Sequence, residues 1–424
     1  MEKISALKGF KDLLPGESER WEWVTSIVRE TFSTFGFSLI RTPILERTTL
    51  FTRSIGETTD IVEKEMYTFQ DWDGKRITLR PEGTASVVRA YLEHASLAQT
   101  RPAKFYYSGP MFRHERPQAG RLRQFHQVGA EIIGEIDPRQ DVELLSLLYT
   151  FFKRLNVGGL TLEINSLGCP VCQPSYRSAL QAYLEEHLPA LCEDCRRRFT
   201  TNPLRILDCK REGCRVITKQ APSSLDRLCQ ACGDHFKSVK EGLCFLQISY
   251  EIHPHLVRGL DYYTKTAFEM TTTALGAQNA VAAGGRYDDL ISALGGPPTP
   301  AIGFAIGMER LIQLIEPAAH IMKSRLCLYM APLGEAASQS LFSALFALRQ
   351  QNIRCEMGKG NIGLKSHMKR ADKLGAEYVL IVGETELSQG KAILRDMTTK
   401  AQSAIGLTTL VDDILAQINK KKVD

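Results

Sequence analysis

The sequence predicts an α+β protein with a sheet-based first domain over residues 1–320, a cysteine-rich insertion within it over residues 169–244, and a C-terminal α/β domain over residues 325–424. With 424 residues, 43% hydrophobic and 24% charged, the chain can bury two or three cores. Nine of its eleven cysteines lie between Cys169 and Cys244, where the sheet-like pattern is interrupted. Beyond residue 325, predicted strands alternate with helices, which indicates a separate α/β unit.

The first element, over residues 20–46, is predicted to be a helix followed by a strand. Apolar residues recur at helical spacing between Arg20 and Phe35, so one helix face should pack on a core. Residues 37–45 are predicted to form a strand, which Pro43 confines to an edge or an interface. Many domains begin in this way, so this pattern is not specific by itself.

Residues 77–91, ITLRPEGTASVVRAY, predict a strand, a turn and a helix. The turn would place the carboxylate of Glu82 and the hydroxyl of Thr84 at a strand end, which is a common position for ligand contacts. A capping box at the start of the helix is the alternative explanation.

Residues 105–133 predict a β-hairpin with a strongly basic loop. Guanidinium groups bind phosphates in a bidentate manner, and a flat ring beside them could stack on a base, so the hairpin favours a nucleotide or another polyanion. A solvated basic loop is the alternative. The arginines are Arg113, Arg116, Arg121 and Arg123, and the rings that follow are Phe125 and His126.

The string LVRGLDYYTKTAFE, residues 256–269, is predicted to be a strand that carries Arg258 before Tyr262 and Tyr263. A buried guanidinium needs an anionic partner, so a structural ion pair to Asp261 or Glu269 competes with a ligand contact.

Two glycine-rich strings follow. In AAGGRYDDLISALGG, residues 282–296, the glycines would let the backbone approach a small ligand, or they serve a tight turn. In AIGFAIGMERLI, residues 301–312, two glycines lead into a helix that starts near Glu309 and Arg310. An arginine at this position normally faces solvent.

The cysteines of the insertion form three CxxC pairs and one wider pair. Paired CxxC motifs have the spacing of tetrahedral zinc–thiolate sites, so we expect one or two structural Zn²⁺ ions, although the spacing does not determine which pairs meet. A reduced, metal-free insertion is the alternative. The cysteines are Cys169 and Cys172, Cys192 and Cys195, Cys209 and Cys214, and Cys229 and Cys232.

After a predicted linker at residues 316–324, the C-terminal region predicts a compact α/β domain. Lys365 and Lys369 would lie on one face of a helix over residues 364–374, where a solvated surface is the simplest explanation. The predicted strands are Leu326–Met330, Ile353–Met357, Tyr378–Val382 and Ala392–Met397, and Leu341, Leu345 and Leu348 mark another helix.

These strings, in this order, resemble the class II aminoacyl-tRNA synthetases, and specifically the histidyl-tRNA synthetase family. FRHERP followed by RQFHQVGAE resembles motif 2 of the class (about 105–133), residues 20–46 resemble motif 1, and residues 301–312 resemble motif 3. LVRGLDYYTKTAFE and GGRYDDL resemble the two histidine-specific motifs. The resemblance implies an antiparallel-sheet catalytic domain and a C-terminal anticodon-binding domain, and it covers nearly the whole chain.

The resemblance also implies a residue-by-residue site for L-histidine, ATP and tRNA-His. Arg258 would take a place that other class II enzymes give to Mg²⁺, and Mg²⁺ would accompany ATP. No protein nucleophile would be needed. The implied catalytic residues are Arg113 and Arg258; the histidine site adds Glu82, Thr84, Gln127, Glu131, Tyr262 and Tyr263; the ATP site adds Glu115, Arg121, Phe125 and Arg310; and the tRNA acceptor end would meet Arg116 and Gln118.

The bulk properties fit this interpretation without requiring it. The formal net charge of +5 is compatible with a polyanionic partner but too small to establish one. We expect no signal peptide, no membrane-spanning segment, a cytoplasmic location and, from the resemblance alone, a homodimer. Two alternatives remain: an inactive paralogue such as the regulatory subunit of ATP phosphoribosyltransferase, which lacks the C-terminal domain, and a nucleic-acid-binding zinc module on an inactive scaffold.

Overall fold

Two compact units make up the chain. The computed structural model describes residues 3–57, 59–99, 101–117, 120–276, 279–316 and 326–423. The units divide between Glu316 and Pro317. Most of the predicted linker, residues 317–324, lies outside the described residues.

The first unit contains helices of very different lengths. The longest are α1 and α4, which carry the apolar spacing expected of core-facing helices. The helices are α1 Glu17–Thr34, α2 Thr48–Ile55, α3 Thr84–Glu93, α4 Pro138–Arg154, α5 Gln173–His187, α6 Glu193–Thr201, α7 Glu212–Thr218, α8 Gln230–Phe245, α9 Leu290–Ala293 and α10 Met308–Leu314.

The strands of this unit form an eight-stranded sheet in the order β1-β5-β6-β11-β10-β9-β7-β8, together with a small antiparallel sheet, β2-β4-β3. In the large sheet only the two edge pairings, β1 with β5 and β7 with β8, are parallel. The strands are β1 Ser38–Leu39, β2 Leu45–Arg47, β3 Thr68–Gln70, β4 Arg76–Leu79, β5 Ala103–Phe112, β6 Gln124–Ile133, β7 Leu160–Ser166, β8 Glu251–Ile252, β9 Thr264–Thr272, β10 Ala280–Arg286 and β11 Ala301–Gly307.

The core of the unit lies where α1, α4 and α8 pack with the large sheet. Phe32, Leu148 and Val239, one from each helix, have no exposed surface and belong to one apolar cluster. Burying a side chain of this kind contributes about 1.5–3 kcal/mol to folding. This core holds the central strands rigid, and the candidate site is built on those strands.

The prediction of one strand over residues 37–45 is wrong. The structure has two short strands there, β1 and β2, which belong to different sheets. The irregular segment between them contains Pro43, which cannot donate a ladder hydrogen bond.

The cysteine-rich region is helical and interrupts the large sheet. It comprises α5, α6, α7 and nearly all of α8, between β7 on one side and β8 on the other. Because β7 pairs with β8 and β9, the sheet is completed by strands from both sides of the insertion. Its small apolar core includes Leu180, Leu184 and Ile206, together with buried cysteines.

The second unit is a five-stranded mixed sheet, β13-β12-β14-β15-β16, with helices packed on it. Strands β12 to β15 and helices α11 and α12 lie close to their predicted positions, whereas β16, α13 and α14 were not predicted. The elements are β12 Leu328–Pro332, α11 Glu335–Gln350, β13 Cys355–Met357, α12 Leu364–Lys373, β14 Tyr378–Val382, α13 Glu384–Ser388, β15 Lys391–Asp396, β16 Gln402–Gly406 and α14 Leu410–Val423.

Candidate functional site

A cavity of about 300 Å³ lies against strands β6, β10 and β11 of the first unit. Eleven of the residues predicted from the resemblance line this cavity, although they come from segments as far apart as residues 82 and 310. They are Glu82, Thr84, Arg113, Glu115, Arg121, Phe125, Gln127, Arg258, Tyr262, Tyr263 and Arg310.

The hairpin of β5 and β6 positions one wall of the cavity. Its strands are antiparallel over ten residue pairs, from Ala103 opposite Ile133 to Phe112 opposite Gln124. The side chain of Gln127 is directed into the cavity, and its Oε1 is buried without a hydrogen-bond partner among the described residues. A buried acceptor of this kind costs free energy unless a ligand donates to it.

Arg113 begins the basic loop and is held in place from two sides. Its Nε donates a hydrogen bond to the carbonyl oxygen of Pro81 at 2.9 Å, and its guanidinium lies 5.3 Å from the centre of the Phe125 ring. Arg121 lies further along the loop, with its Nε 3.1 Å from a carboxylate oxygen of Glu115. The two arginines therefore present positive charge to the same cavity from fixed positions.

Arg258 does not lie on a strand, and that prediction is wrong. It sits in the irregular segment between β8 and β9. Its Nη1 pairs with a carboxylate oxygen of Glu269 on β9, so the structural ion pair left open by the sequence is present. Asp261 is not its partner; that carboxylate instead accepts a hydrogen bond from Asn202 at 3.0 Å.

Arg258 nevertheless also faces the cavity. Its guanidinium lies 5.4 Å from the centre of the Tyr263 ring, and its Nε is buried without a partner among the described residues. The ion pair with Glu269 thus leaves part of the guanidinium available to a ligand.

Arg310, on the first turn of α10, borders the cavity, where the resemblance places it, rather than taking the solvent-facing position usual for an arginine at a helix start. Its Nη1 donates to the carbonyl oxygen of Ala280 at 2.6 Å. Burial, followed by repulsion from Arg121, lowers its pKa below the ordinary arginine value. A site that concentrates cations in this way favours anionic groups such as phosphates.

Glu82 caps helix α3 as well as lining the cavity. Its carboxylate accepts hydrogen bonds from the backbone N–H of Thr84 at 2.6 Å and of Ala85 at 2.9 Å. The capping explanation left open by the sequence is therefore realised, although through the carboxylate rather than a capping box. Burial raises the pKa of Glu82 above the ordinary glutamate value.

Glu131 lies behind the cavity wall and is absent from the residues that line the cavity in the described part of the chain. Its carboxylate is fully buried and accepts hydrogen bonds from Thr84 Oγ1 at 2.8 Å and from the Tyr287 hydroxyl at 2.5 Å. Burial raises its pKa to about 8 against the opposing effect of these hydrogen bonds. A Cβ at Gly303 would lie only 1.6 Å from this carboxylate, so the position admits only glycine.

Tyr287 was not predicted to belong to the site, although it lies inside the GGRYDDL string. The preceding Gly284 and Gly285 lie where adjacent strands approach each other closely, and neither is among the described residues that line the cavity. A Cβ at Gly284 would lie 2.2 Å from the carbonyl oxygen of Gly303 on β11, and one at Gly285 would lie 2.5 Å from the carbonyl oxygen of Thr266 on β9. The glycines therefore allow close packing of adjacent strands, which brings Tyr287 to Glu131.

Of the two residues proposed at the hairpin tip, only Arg116 lies in the described part of the chain. Arg116 is not among the described residues that line the cavity. Gln118 lies outside the described residues.

Eight cysteines of the insertion form two clusters with four sulfur atoms each. Within each cluster the ligand atoms all lie within 4.8 Å of one another, and examples of the separations are 3.6, 3.9 and 4.0 Å. Four thiolates around Zn²⁺, with bonds of about 2.3 Å, place the sulfur atoms about 3.8 Å apart. The basal cluster is Cys169, Cys172, Cys229 and Cys232, and the distal cluster is Cys192, Cys195, Cys209 and Cys214.

Comparison with known proteins identifies the same family that the residues around this cavity resemble. Residues 9–311 match the family model described as histidyl-tRNA synthetase. The chain belongs to the histidyl-tRNA synthetase family. Residues 328–417 match the model of an anticodon-binding domain, so the second unit carries the domain predicted from the resemblance.

Relatives of known name cover nearly the whole chain. A histidine–tRNA ligase from Syntrophotalea carbinolica is 52% identical over 412 residues, which is 97% of this chain and 98% of the relative. One from Geobacter sulfurreducens is 51% identical and covers 98% of this chain and all of its own length. The crystal structure of apo histidyl-tRNA synthetase from S. aureus is similar with a TM-score of 0.82 at 35% identity, covering 97% of this chain and all of the other.

The class II synthetase fold predicted from the sequence is therefore confirmed, with its antiparallel-rich sheet, cysteine-rich insertion and C-terminal domain. Among the described residues, no helix is long and apolar enough to span a bilayer.

Proposed function

We propose that the protein is a histidine–tRNA ligase. It activates L-histidine with ATP to give histidyl-adenylate and pyrophosphate, and then transfers histidine to the 3′ end of tRNA-His, which releases AMP. One observation carries this proposal: the basic hairpin, β5 and β6, and the strands of both histidine-specific strings, β9 and β10, lie together at the centre of one sheet. The chain is also about 50% identical to histidine–tRNA ligases over nearly its full length.

The histidine site is proposed to lie at the closed end of the cavity. Glu82 would accept a hydrogen bond from the α-ammonium group, with the hydroxyl of Thr84 beside it. Gln127, whose buried Oε1 lacks a partner among the described residues, and the hydroxyls of Tyr262 and Tyr263 would surround the imidazole. A site that pairs both ring nitrogens rejects apolar analogues strongly, since they leave its buried polar groups unsatisfied.

Glu131 would act on the imidazole from behind the wall. Its carboxylate is already bonded to Thr84 and Tyr287 in the unliganded protein, so contact with a ring nitrogen requires a rearrangement of these hydrogen bonds. We therefore propose that histidine binding exchanges the partners of Glu131.

Adenylate formation needs charge stabilisation more than a protein nucleophile. The histidine carboxylate attacks the α-phosphorus of ATP, the bond to the pyrophosphate leaving group breaks, and charge builds on the non-bridging oxygens. Arg113 and Arg258 would flank this phosphate, Phe125 would stack on adenine, and Arg121 and Arg310 would hold the terminal phosphates. Preplaced donors of this kind favour the transition state over the ground state.

The family uses ATP with Mg²⁺, which neutralises phosphate charge when it is bound. Glu115, which borders the cavity beside Arg121, would contact the nucleotide.

For the second step, Arg116 and Gln118 at the hairpin tip are proposed to meet the acceptor end of tRNA-His, while the second unit binds the anticodon. We also propose that the catalytic domain spans residues 1–320 with its insertion at 169–244, that the anticodon-binding domain spans 325–424, that the protein is a homodimer, and that it acts in the cytoplasm. The dimer and the location rest on family membership.

Structural Zn²⁺ in the insertion is proposed from the two cysteine clusters, whose sulfur separations suit tetrahedral thiolate coordination. The apolar core of the insertion is small, so metal would supply stability that this core lacks.

Histidine-dependent exchange of pyrophosphate into ATP tests the proposal. We expect exchange with L-histidine and none without an amino acid. The alternative, an inactive regulatory paralogue, predicts no exchange by folded protein. The lining of the cavity by Arg113, Arg258 and Arg310 and the match of residues 328–417 to an anticodon-binding domain favour the ligase.

A further inference from the structure

The insertion contacts the loop that carries Arg258 and the two tyrosines. Arg205 Nη1 donates a hydrogen bond to the carbonyl oxygen of Arg258 at 3.3 Å. Asn202 Nδ2 donates to a carboxylate oxygen of Asp261 at 3.0 Å. The loop over residues 253–263 has no regular secondary structure of its own, so these contacts help to determine its position.

A third contact joins the same part of the insertion to Asp60, which lies outside the insertion. Arg198 Nη2 lies 2.7 Å from a carboxylate oxygen of Asp60, and Arg205 Nη2 lies 3.9 Å from the same atom. The two arginine side chains are about a quarter exposed or less, so these ion pairs are better shielded than ordinary surface pairs. Residues 198–205 therefore form a bracing segment, which joins the insertion to the Arg258 loop and to Asp60.

The bracing residues all lie between two cysteines of the distal cluster. Cys195 is on α6, which carries Arg198, and Cys209 follows the 3-10 turn over Pro203–Ile206 that carries Arg205. Cys192 precedes α6, and Cys214 lies on α7. A metal ion held by these four sulfur atoms would fix both ends of the bracing segment at once.

Ile206 is fully buried in the small apolar core of the insertion and holds the stretch between Cys195 and Cys209 in place, whereas the two ends of this stretch, at α6 and at Cys209, are less well packed. Helix α6 is nine residues long and buries only Cys195, and the residues that flank Cys209, Asp208 and Lys210, line the cavity rather than the core. Cys195, Cys209 and Cys214 are themselves buried, as expected for closed structural sites.

The basal cluster has a different place in the fold. Cys169 follows β7, where the chain leaves the sheet, and Cys229 precedes α8, where it returns to the main core. This cluster closes the base of the insertion, and in the described part of the chain the side chains of its four cysteines make no hydrogen bond to the Arg258 loop. The basal cluster therefore serves as a control, because a change at the distal cluster should leave its metal in place.

We propose that Zn²⁺ bound by Cys192, Cys195, Cys209 and Cys214 positions the Arg258 loop through Asn202 and Arg205, so that occupancy of this site sets the rate of histidine activation. The proposal rests on the proposed ligase function. Asn202 and Arg205 are positioning residues, since they act on the substrates only through the loop.

The first test is the metal content of the full-length protein. Elemental analysis should find two Zn²⁺ per chain, one for each cluster. Cys209→Ser should retain only the basal ion, whereas Cys244→Ser, a change at an exposed cysteine outside both clusters, should retain both. After replacement of zinc by Co²⁺, wild type should show tetrahedral thiolate absorption of which Cys209→Ser loses about half. Substoichiometric zinc in wild type, or two ions in Cys209→Ser, would overturn the proposal.

The second test separates metal binding from bracing. The double variant Asn202→Ala/Arg205→Ala should keep two zinc ions, yet its kcat for pyrophosphate exchange should fall at least about tenfold, with a smaller change in KM for ATP. The kcat of Cys209→Ser should fall further, by about a hundredfold, because loss of the distal metal would free the whole bracing segment to move. Cys244→Ser should retain wild-type kinetics.

Hydrogen exchange gives a readout that does not depend on activity. Backbone amides of residues 253–263 should exchange faster in both variants than in wild type, while those of the buried helix α4 should not change. If Cys209→Ser fails to fold, the double variant still decides the matter. Unchanged kcat and unchanged exchange of the loop in that variant would refute the bracing. If wild type itself lacks pyrophosphate exchange, the ligase assignment fails, and zinc content with hydrogen exchange still tests the coupling of the insertion to the loop.

Discussion

Replacement of Arg258 by Ala should separate the two roles that the structure gives to this residue. Its guanidinium pairs with Glu269, and it also lines the cavity with an Nε that has no partner among the described residues. If the ion pair were its whole role, loss of either partner would have the same effect. If it also stabilises the α-phosphate, loss of Arg258 should be far worse for catalysis.

The magnitudes follow from burial and from the chemistry of the step. Loss of one preplaced donor to a developing oxyanion costs about 3–4 kcal/mol, or roughly a hundred- to a thousandfold in kcat. Breaking a fully buried ion pair costs about 3–5 kcal/mol in stability. The side chains of Arg258 and Glu269 are 13% and 24% exposed, so we expect the stability cost to lie at or below the lower end of that range.

Glu269→Gln is the matched control. It removes the negative charge but leaves Arg258 and a hydrogen-bond acceptor in place. Both variants should melt at a lower temperature than wild type, but only Arg258→Ala should lose kcat for pyrophosphate exchange by two orders of magnitude or more, while its KM for ATP changes little. Equal losses of kcat in the two folded variants would contradict the catalytic role of Arg258.

Three further predictions concern other parts of the site. Burial raises the pKa of Glu131 to about 8, above about 4.5 in the unfolded chain, so the stability that its protonated form contributes is present below pH 4.5 and is lost as the pH rises through 8. Between pH 6 and 8, the free energy of unfolding of the unliganded wild type should therefore fall by up to about 1.4 kcal/mol per pH unit more than that of Glu131→Gln. Thermal melts of the two proteins over this pH range measure the difference. Gly303→Ala should destabilise the protein by about 1–3 kcal/mol and raise KM for histidine, because the new Cβ would lie 1.6 Å from the Glu131 carboxylate. The control is Gly307→Ala, whose new Cβ would lie 3.9 Å from Arg310 Cδ, and this variant should keep the wild-type melting temperature. Arg116→Ala should lower kcat/KM for tRNA-His in the transfer reaction without changing pyrophosphate exchange.

The hairpin and the helices of the first unit could be predicted because their signals are local. The strands of residues 105–133 have continuous apolar patterns on either side of a charged loop, and the structure places both strands within two residues of those bounds. Local signals also located most strands of the second unit. They failed for β16 and α14, whose patterns are short or mixed.

The position of Arg258 was mispredicted because a motif does not specify backbone conformation. Its segment is apolar enough to suggest a strand, but the partners that fix it, Glu269 on β9 and Arg205 of the insertion, are tertiary contacts. The buried position of Glu131 behind the cavity wall also depends on a tertiary contact, the hydrogen bond from Tyr287, which lies 156 residues later in the chain.

Cysteine spacing could indicate metal sites but not their pairing. The basal cluster joins Cys169 with Cys229 across the whole insertion, and the distal cluster is nested inside it. Pairing between neighbours along the chain would give different sites, and only the fold distinguishes these arrangements.

The central claim is that this chain joins histidine to its tRNA, and the most direct measurement is the transfer of labelled amino acid to tRNA-His in the presence of ATP. Our account predicts that L-histidine becomes attached to the 3′ end of tRNA-His and that other amino acids do not, with loss of attachment in Arg258→Ala. Folded wild-type protein that leaves tRNA-His uncharged with histidine, or that charges it equally with other amino acids, would contradict the account.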